Sequence, residues 1–171
     1  METEPRLTLV LGGARSGKSR YAEQLITALP APWVYVATAE PLDDEMIARI
    51  AGHRARRDAR WQTVEAPRDL CGALINVPAG AALLIDCLTL WLSNLMLAQD
   101  NVEREIDRLE GALERVIGPV TIVANEVGLG IVPDNVLSRR FRDLAGVVNQ
   151  RLAARADRVV MLVAGLPIVV K

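Results

Sequence analysis

The sequence predicts an α/β domain, a mostly parallel sheet lying between layers of helices. Three observations carry that expectation. Short apolar, β-branched runs alternate with helix-period segments along the whole chain. The first run, Leu7–Leu11, leads through a glycine-rich loop into a helix start at Arg20–Ile26, a strand–loop–helix unit. The last two runs are joined only by Gly165-Leu166-Pro167, too short for a crossover, so Ile168–Val170 should lie antiparallel at an edge. A chain of 171 residues suffices for one domain with a real core and is short for two, so residues 1–171 are read as one unit.

Composition removes several functions. Hydrophobic residues make up 51% of the chain, which excludes a disordered one. A net charge of −1 argues against a broad basic surface, so no nucleic-acid partner is expected. Cys71 and Cys87 have neither CxxC spacing nor histidines nearby. That pattern suggests no disulfide framework and no zinc site, and it suits a reduced cytoplasm. Met1–Arg6 is polar and lacks the basic start and apolar core of a signal peptide. Val77–Ala98 is apolar enough to suggest a membrane span, but Asp86 sits near its middle, where a charge is costly in lipid. It reads instead as a buried strand followed by an apolar helix.

Gly12-Gly13-Ala14-Arg15-Ser16-Gly17-Lys18-Ser19 fits G-x-x-x-x-G-K-[ST], the phosphate-binding loop. Glycines let backbone N–H groups approach phosphate oxygens, and the following helix adds its positive end. Lys18 would reach the β- and γ-phosphates and Ser19 would hold Mg²⁺. The first helix should stop before Pro30 and Pro32. Trp33–Thr38 is a second strand, and Thr38 leaves it where ligands bind in open parallel sheets, although an ordinary loop hydroxyl explains it as well.

Asp43-Asp44-Glu45 opens a helix whose acids complement the dipole. His53, the sole histidine, shares a face with Arg49, Arg56 and Arg57. Neighbouring cations favour the neutral, nucleophilic imidazole, and the arginines suit phosphate oxygens. Taken alone, the same cluster also reads as a solvated basic face. Trp61–Glu65 is a short strand or extended loop, and Pro67–Ile75 a helix. Ala82–Asp86 is an apolar strand ending in an acid, the loose pattern of a Walker-B strand whose Asp86 supports Mg²⁺. In the helix Leu88–Ala98, Trp91, Leu92, Leu95 and Met96 should be buried by this subunit or a neighbour. Asp100 should cap the next helix, whose stripe is Val102, Ile106, Leu109, Leu113 and Val116. Val120–Ala124, a loop Asn125–Pro133, a helix Asn135–Ala156 and a strand Val159–Val163 complete the pattern, a three-layer P-loop NTPase-like domain.

These residues resemble the bifunctional adenosylcobinamide kinase/adenosylcobinamide-phosphate guanylyltransferase family of cobalamin biosynthesis. The resemblance rests on Gly12–Ser19, Ala37-Thr38, Asp43-Asp44-Glu45-Met46, Ala48-Arg49-Ile50 leading to His53, Asn125-Glu126-Val127-Gly128, Gly130–Pro133, and Phe141-Arg142-Asp143 with Val148–Ala153. It implies a RecA-like sheet order and a homotrimer. It implies two reactions: phosphorylation of adenosylcobinamide by ATP or GTP, then transfer of GMP from GTP to adenosylcobinamide phosphate, with release of pyrophosphate. The matching histidine, His53, would carry GMP covalently. The resemblance extends nucleotide contacts to Gly12, Gly13, Ala14, Arg15, Ser16, Gly17, Lys18 and Ser19. It adds Ala37, Thr38 and Ala39, then Arg54, Ala55, Arg56 and Arg57 more loosely, and the acids Glu65 and Asp86. Asp86 stands where a longer Glu is familiar, keeping the charge and shortening the reach. Two other readings fit the phosphate loop: a small-molecule kinase without guanylyl transfer, and a non-catalytic nucleotide switch.

Overall fold

The computed structural model describes residues 5–171; residues 1–4 of the polar N-terminus and the side chain of Arg49 lie outside the described part. Among the described residues, seven strands form one sheet in the order β3-β2-β4-β5-β1-β6-β7. They are β1 (Leu7–Gly12), β2 (Trp33–Ala37), β3 (Trp61–Glu65), β4 (Ala82–Asp86), β5 (Val120–Asn125), β6 (Arg158–Val163) and β7 (Leu166–Val169). Every neighbouring pair is parallel except β6 and β7, so the expected antiparallel C-terminal edge strand is there. Trp61–Glu65 is a true strand and forms the opposite edge.

The helices are α1 (Lys18–Thr27), α2 (Asp44–Ala55), α3 (Leu70–Ile75), α4 (Leu88–Leu97), α5 (Val102–Arg115) and α6 (Val136–Arg155). Period-two alternation sends successive strand residues to opposite faces. Leu9, Val36, Leu83, Ile85 and Ile122 pack into a core shared with α4, α5 and α6. Val10, Tyr35, Leu84, Val123 and Val160 pack with Ala22 and Ile26 of α1 on the other face. The five stripe residues expected on α5 are all buried. Each such side chain contributes about 1.5–3 kcal/mol by leaving water.

Two local expectations change. Asn101, not Asp100, caps α5, its side chain accepting from Arg104 N–H at 2.9 Å. The helix expected from Pro67 starts at Leu70, because Asp69 caps it by accepting from Gly72 N–H at 3.0 Å. On the apolar α4, Leu88, Trp91, Leu92 and Leu95 are each 1% exposed, so this subunit buries them, the first of the two expected routes. Met96 is only partly buried and Leu97 is 64% exposed. Among the described residues, no helix is long and apolar enough to cross a membrane.

Strand register sets the site. Gly12 is level with Asn125, and Ala37 is level with both Asp86 and Glu65. The C-terminal ends of β1 to β5 thus meet at one rim of the sheet, the end at which open parallel sheets bind ligands.

Candidate active site at the C-terminal edge of the sheet

The phosphate loop joins β1 to α1 as its motif requires. Gly17 adopts φ 94°, a left-handed conformation that turns the chain into the helix. At Gly12 a Cβ would lie 2.5 Å from Ser16 Oγ and 2.8 Å from the Leu162 carbonyl, so the close approach requires glycine. Ser16 Oγ is buried and has no hydrogen-bond partner among the described residues. Lys18 is 8% exposed and its Nζ donates to Gly13 O at 2.7 Å. A buried ammonium and an orphaned hydroxyl inside one loop suit an anion.

Beside the loop lies a cavity of about 520 Å³. Lys18, Ser19, Ala37, Ala39, His53, Arg54, Arg57, Glu65 and Asp86 all line it, half of the expected site residues; Gly12 to Gly17 and Arg56 do not. The opposite wall is apolar, built from Met46, Ile47, Ile50 and Ala51 of α2 with Leu90 of α4. None of the described side chains of α2 is fully buried, because the helix stands off the sheet across this cavity. Asp43 fixes where α2 begins, its carboxylate accepting from Met46 N–H at 2.7 Å.

His53 lies near the C-terminal end of α2 with its ring one-quarter exposed. Nδ1 is 3.1 Å from Arg56 Nη2, 3.8 Å from Asp86 Oδ2 and 3.9 Å from Glu23 Oε1. Burial is the main influence lowering its pKa; Asp86 opposes it, Arg56 adds to it, Glu23 opposes and Arg57 adds. Sequence reasoning reaches the same neutral imidazole through the arginines alone, whereas desolvation is the larger cause.

Among the described residues, the arginines near His53 do not form a common cationic face; the side chain of Arg49 lies outside them. Arg54 pairs with Glu65 of β3. Arg56 pairs with Glu23 of α1 at 3.2 Å. The Arg57 guanidinium stacks 3.6 Å over the Tyr35 ring, and its Nε and Nη1 are buried with no hydrogen-bond partner among the described residues. Buried guanidinium donors left unmade are costly, so Arg57 is the arginine best prepared for phosphate oxygens. Ala55 is exposed and does not line the cavity.

Thr38 sits differently from expectation. It is fully buried and is not on the cavity wall. Its Oγ1 accepts from Cys87 N–H and donates to Cys87 O, both at 2.7 Å. Its own N–H donates to Asp86 O at 3.3 Å, and its carbonyl accepts from Asn94 Nδ2 at 2.8 Å. The register of β2 against β4 consumes every polar atom of Thr38, so the residue braces the strand carrying Asp86.

Asp86 is 7% exposed, and its Oδ2 accepts from the Tyr35 hydroxyl at 3.0 Å. Burial, reinforced by Asp86, drives the Tyr35 pKa far up, so the phenol keeps its proton and donates. Asp86 and Ser19 face the same cavity as Lys18. One hydroxyl and one carboxylate form the donor set of an Mg²⁺ that keeps waters and phosphate oxygens as its other ligands, and these residues fit it. Among the described residues no group of three or more His, Cys, Asp or Glu side chains could cage a metal.

Tyr35 and Glu23 belong to the site but not to the sequence expectation. Tyr35 reads as a strand aromatic. Glu23 had a usable signal: it lies four residues after Ser19, on the same face of α1.

Comparison with known proteins gives the family. The family model described as cobinamide kinase / cobinamide phosphate guanyltransferase matches residues 8–170. The chain is 49% identical to the bifunctional adenosylcobalamin biosynthesis protein CobP of Pseudomonas aeruginosa, covering 95% of this chain and 96% of that one. It is 43% identical to the bifunctional adenosylcobalamin biosynthesis protein CobU of Salmonella typhimurium, covering 96% and 99%. Among solved structures, a prototypical ATPase of a type III secretion system aligns with TM-score 0.58 and 11% identity over 92% of this chain and 51% of that one. The flagellar accessory protein FlaH of Methanocaldococcus jannaschii aligns with TM-score 0.54 and 12% identity over 97% and 78%. At those identities the two structures speak for the fold alone. With the match running from the first strand to the last, and with relatives covered almost end to end, the chain belongs to the cobinamide kinase / cobinamide phosphate guanyltransferase family.

Proposed function

We propose that the protein performs both reactions of its family in cobalamin biosynthesis. It phosphorylates adenosylcobinamide with ATP or GTP, and it then transfers GMP from GTP to adenosylcobinamide phosphate, with His53 as the covalent carrier. The observation that supports this most is the placement of a neutral, partly buried imidazole on the same cavity as the phosphate loop. A kinase needs the loop alone and has no use for that ring.

In the kinase step Lys18 stabilises charge on the transferred phosphoryl group. In the guanylyl step an imidazole nitrogen of His53 attacks the α-phosphate of GTP, the bond to pyrophosphate breaks, and pyrophosphate leaves with the electron pair. The acceptor's phosphate oxygen then attacks the same phosphorus and frees the ring. Splitting one displacement into two lowers the barrier of each. Arg57 supplies charge for the phosphates. Mg²⁺, held by Ser19 and Asp86, would neutralise phosphate charge. The apolar wall of Met46, Ile47 and Ile50 gives a nucleobase or corrinoid edge a surface to cover. Glu65 and Arg54 close the far end of the cavity as an ion pair.

We read the enzyme as a cytoplasmic homotrimer. Buried Cys71 and Cys87 are both free thiols, and burial raises their pKa values, so they are unreactive. Leu129, Ile131 and Val132 of the loop after β5 are 84%, 97% and 62% exposed, more apolar surface than one loop ordinarily leaves in water.

The test uses GTP labelled at the α-phosphate, with Mg²⁺, on the wild type and on His53→Ala. Acid-labile, base-stable label on denatured wild type alone supports the transferase. Equal labelling of both proteins removes His53 as the carrier, and labelling of neither while nucleotide binds leaves only the kinase.

A further inference from the structure

Three charged groups from three segments converge on one nitrogen of His53: Arg56 just past α2, Asp86 of β4 and Glu23 of α1. All three lie nearest Nδ1. An anionic α-phosphate approaching Nδ1 would meet two carboxylates, so Nε2 is the nitrogen suited to attack. A neutral imidazole attacks through its unprotonated nitrogen. Attack through Nε2 therefore needs a proton on Nδ1, and that N–H needs an acceptor.

The group closest to Nδ1 is a donor. Arg56 Nη2 at 3.1 Å favours the opposite tautomer, with the lone pair on Nδ1. Arg56 is in turn held by Glu23, whose Oε2 and Oε1 accept from Arg56 Nε and Nη2 at 3.3 and 3.2 Å. Asp86 Oδ2 already accepts from Tyr35. Glu23 Oε1, 3.9 Å from Nδ1, accepts from Arg56 Nη2, so it becomes available when Arg56, whose side chain is 46% exposed, moves off, whereas the buried Tyr35 donor stays on Asp86. Glu23 lies one turn beyond Ser19 on the helix that follows the phosphate loop.

We propose that Glu23 is a positioning residue for guanylyl transfer: once Arg56 releases Nδ1, Glu23 accepts a hydrogen bond from Nδ1–H and leaves Nε2 as the nucleophile. The proposal rests on His53 being the guanylyl carrier. In the first step the Nε2 lone pair forms the bond to the α-phosphorus, and the bond to the pyrophosphate oxygen breaks with its electrons leaving on pyrophosphate. Nδ1 keeps its proton, and the ring's positive charge faces the Glu23 carboxylate. In the second step an acceptor phosphate oxygen attacks, the P–N bond breaks, and the electron pair returns to Nε2.

The chain has one histidine, so its ring nitrogens can be read without assignment. Nitrogen-15 spectra of histidine-labelled protein, with Mg²⁺ and a GTP analogue whose α,β-bridge cannot be cleaved, report the tautomer. We expect Nδ1–H in the wild-type complex, Nε2–H in Glu23→Ala, and recovery of Nδ1–H in Glu23→Gln, which keeps an acceptor oxygen. Labelling of protein by α-labelled GTP should slow roughly tenfold or more in Glu23→Ala, and Glu23→Gln should recover part of that loss. Melting curves establish that each variant is folded; if Glu23→Ala is not, Glu23→Asp, which withdraws the acceptor by one methylene, takes its place. An Nε2–H tautomer in the wild-type complex overturns the proposal. So does labelling of Glu23→Ala at the wild-type rate, which leaves the His53 reading standing. Absence of label on the wild type itself overturns both.

Discussion

Replacing Thr38 by valine tests whether that residue braces the sheet or touches the nucleotide. The substitution keeps the shape and removes one hydroxyl. That hydroxyl makes two hydrogen bonds to Cys87 in a fully buried setting. The Cys87 carbonyl would retain a donor, Trp91 N–H at 3.2 Å, but the Cys87 N–H would be left unsatisfied. An orphaned buried donor costs about 1–3 kcal/mol, and a net hydrogen bond adds about 1 kcal/mol. The expected loss is about 2–4 kcal/mol. In a domain of this size each kcal/mol moves Tm by about 2–4 °C, so Tm should fall by roughly 4–16 °C. Thr38→Ser keeps the hydroxyl and should lose only about 1 kcal/mol, the worth of the deleted methyl group. Differential scanning calorimetry reads the stability and isothermal titration the GTP affinity. Refutation would be an unchanged Tm together with a tenfold or greater loss of GTP affinity, because the hydroxyl would then be facing the ligand.

Three further outcomes follow from the same geometry. His53 has its pKa lowered from 6.5, so its neutral, nucleophilic form persists below that pH; the labelling rate should hold on acidification past 6.5 and fall only below the lowered pKa. Arg56→Ala removes a charge that lowers this pKa and should move the acid limb upward, and a wild-type limb above pH 6.5 would contradict the account. Lys18→Ala deletes the buried ammonium of the phosphate loop and should lower phosphorylation of adenosylcobinamide by about 10²–10³-fold in kcat, as loss of one preorganised charge does; a steady-state assay with ATP reads this. Leu109→Ala opens a cavity in a fully buried part of α5 and should cost about 2–5 kcal/mol in urea unfolding without altering the m-value.

The elements were legible where chemistry is local. Gly12–Ser19, the apolar run closing on Asp86 and the α5 stripe each declare themselves within a few residues, and the structure has them where the pattern puts them. Helix starts were less so, because Asp100 and Asn101 are both competent caps and only backbone geometry chooses Asn101. The site was half legible. Lys18 stands in a motif, while His53 was singled out only by the family resemblance; its partners arrive from α1 and β4, far apart in sequence, and no spacing rule joins Glu23 to His53. Tyr35 is a strand aromatic until its hydroxyl is seen on Asp86 and its ring under Arg57. Thr38 reads from the residues alone as an ordinary hydroxyl, and the ligand contact was implied by the resemblance; the register of β2 on β4 turns that hydroxyl inward.

The central claim, that His53 carries GMP between two substrates, is tested most directly by a chase. Protein labelled with α-labelled GTP and Mg²⁺ is freed of nucleotide and then given adenosylcobinamide phosphate. The account predicts that label leaves the protein and appears in adenosylcobinamide-GDP, with none transferred by His53→Ala. Label that remains on the protein, or product formed at the normal rate by His53→Ala, would contradict it.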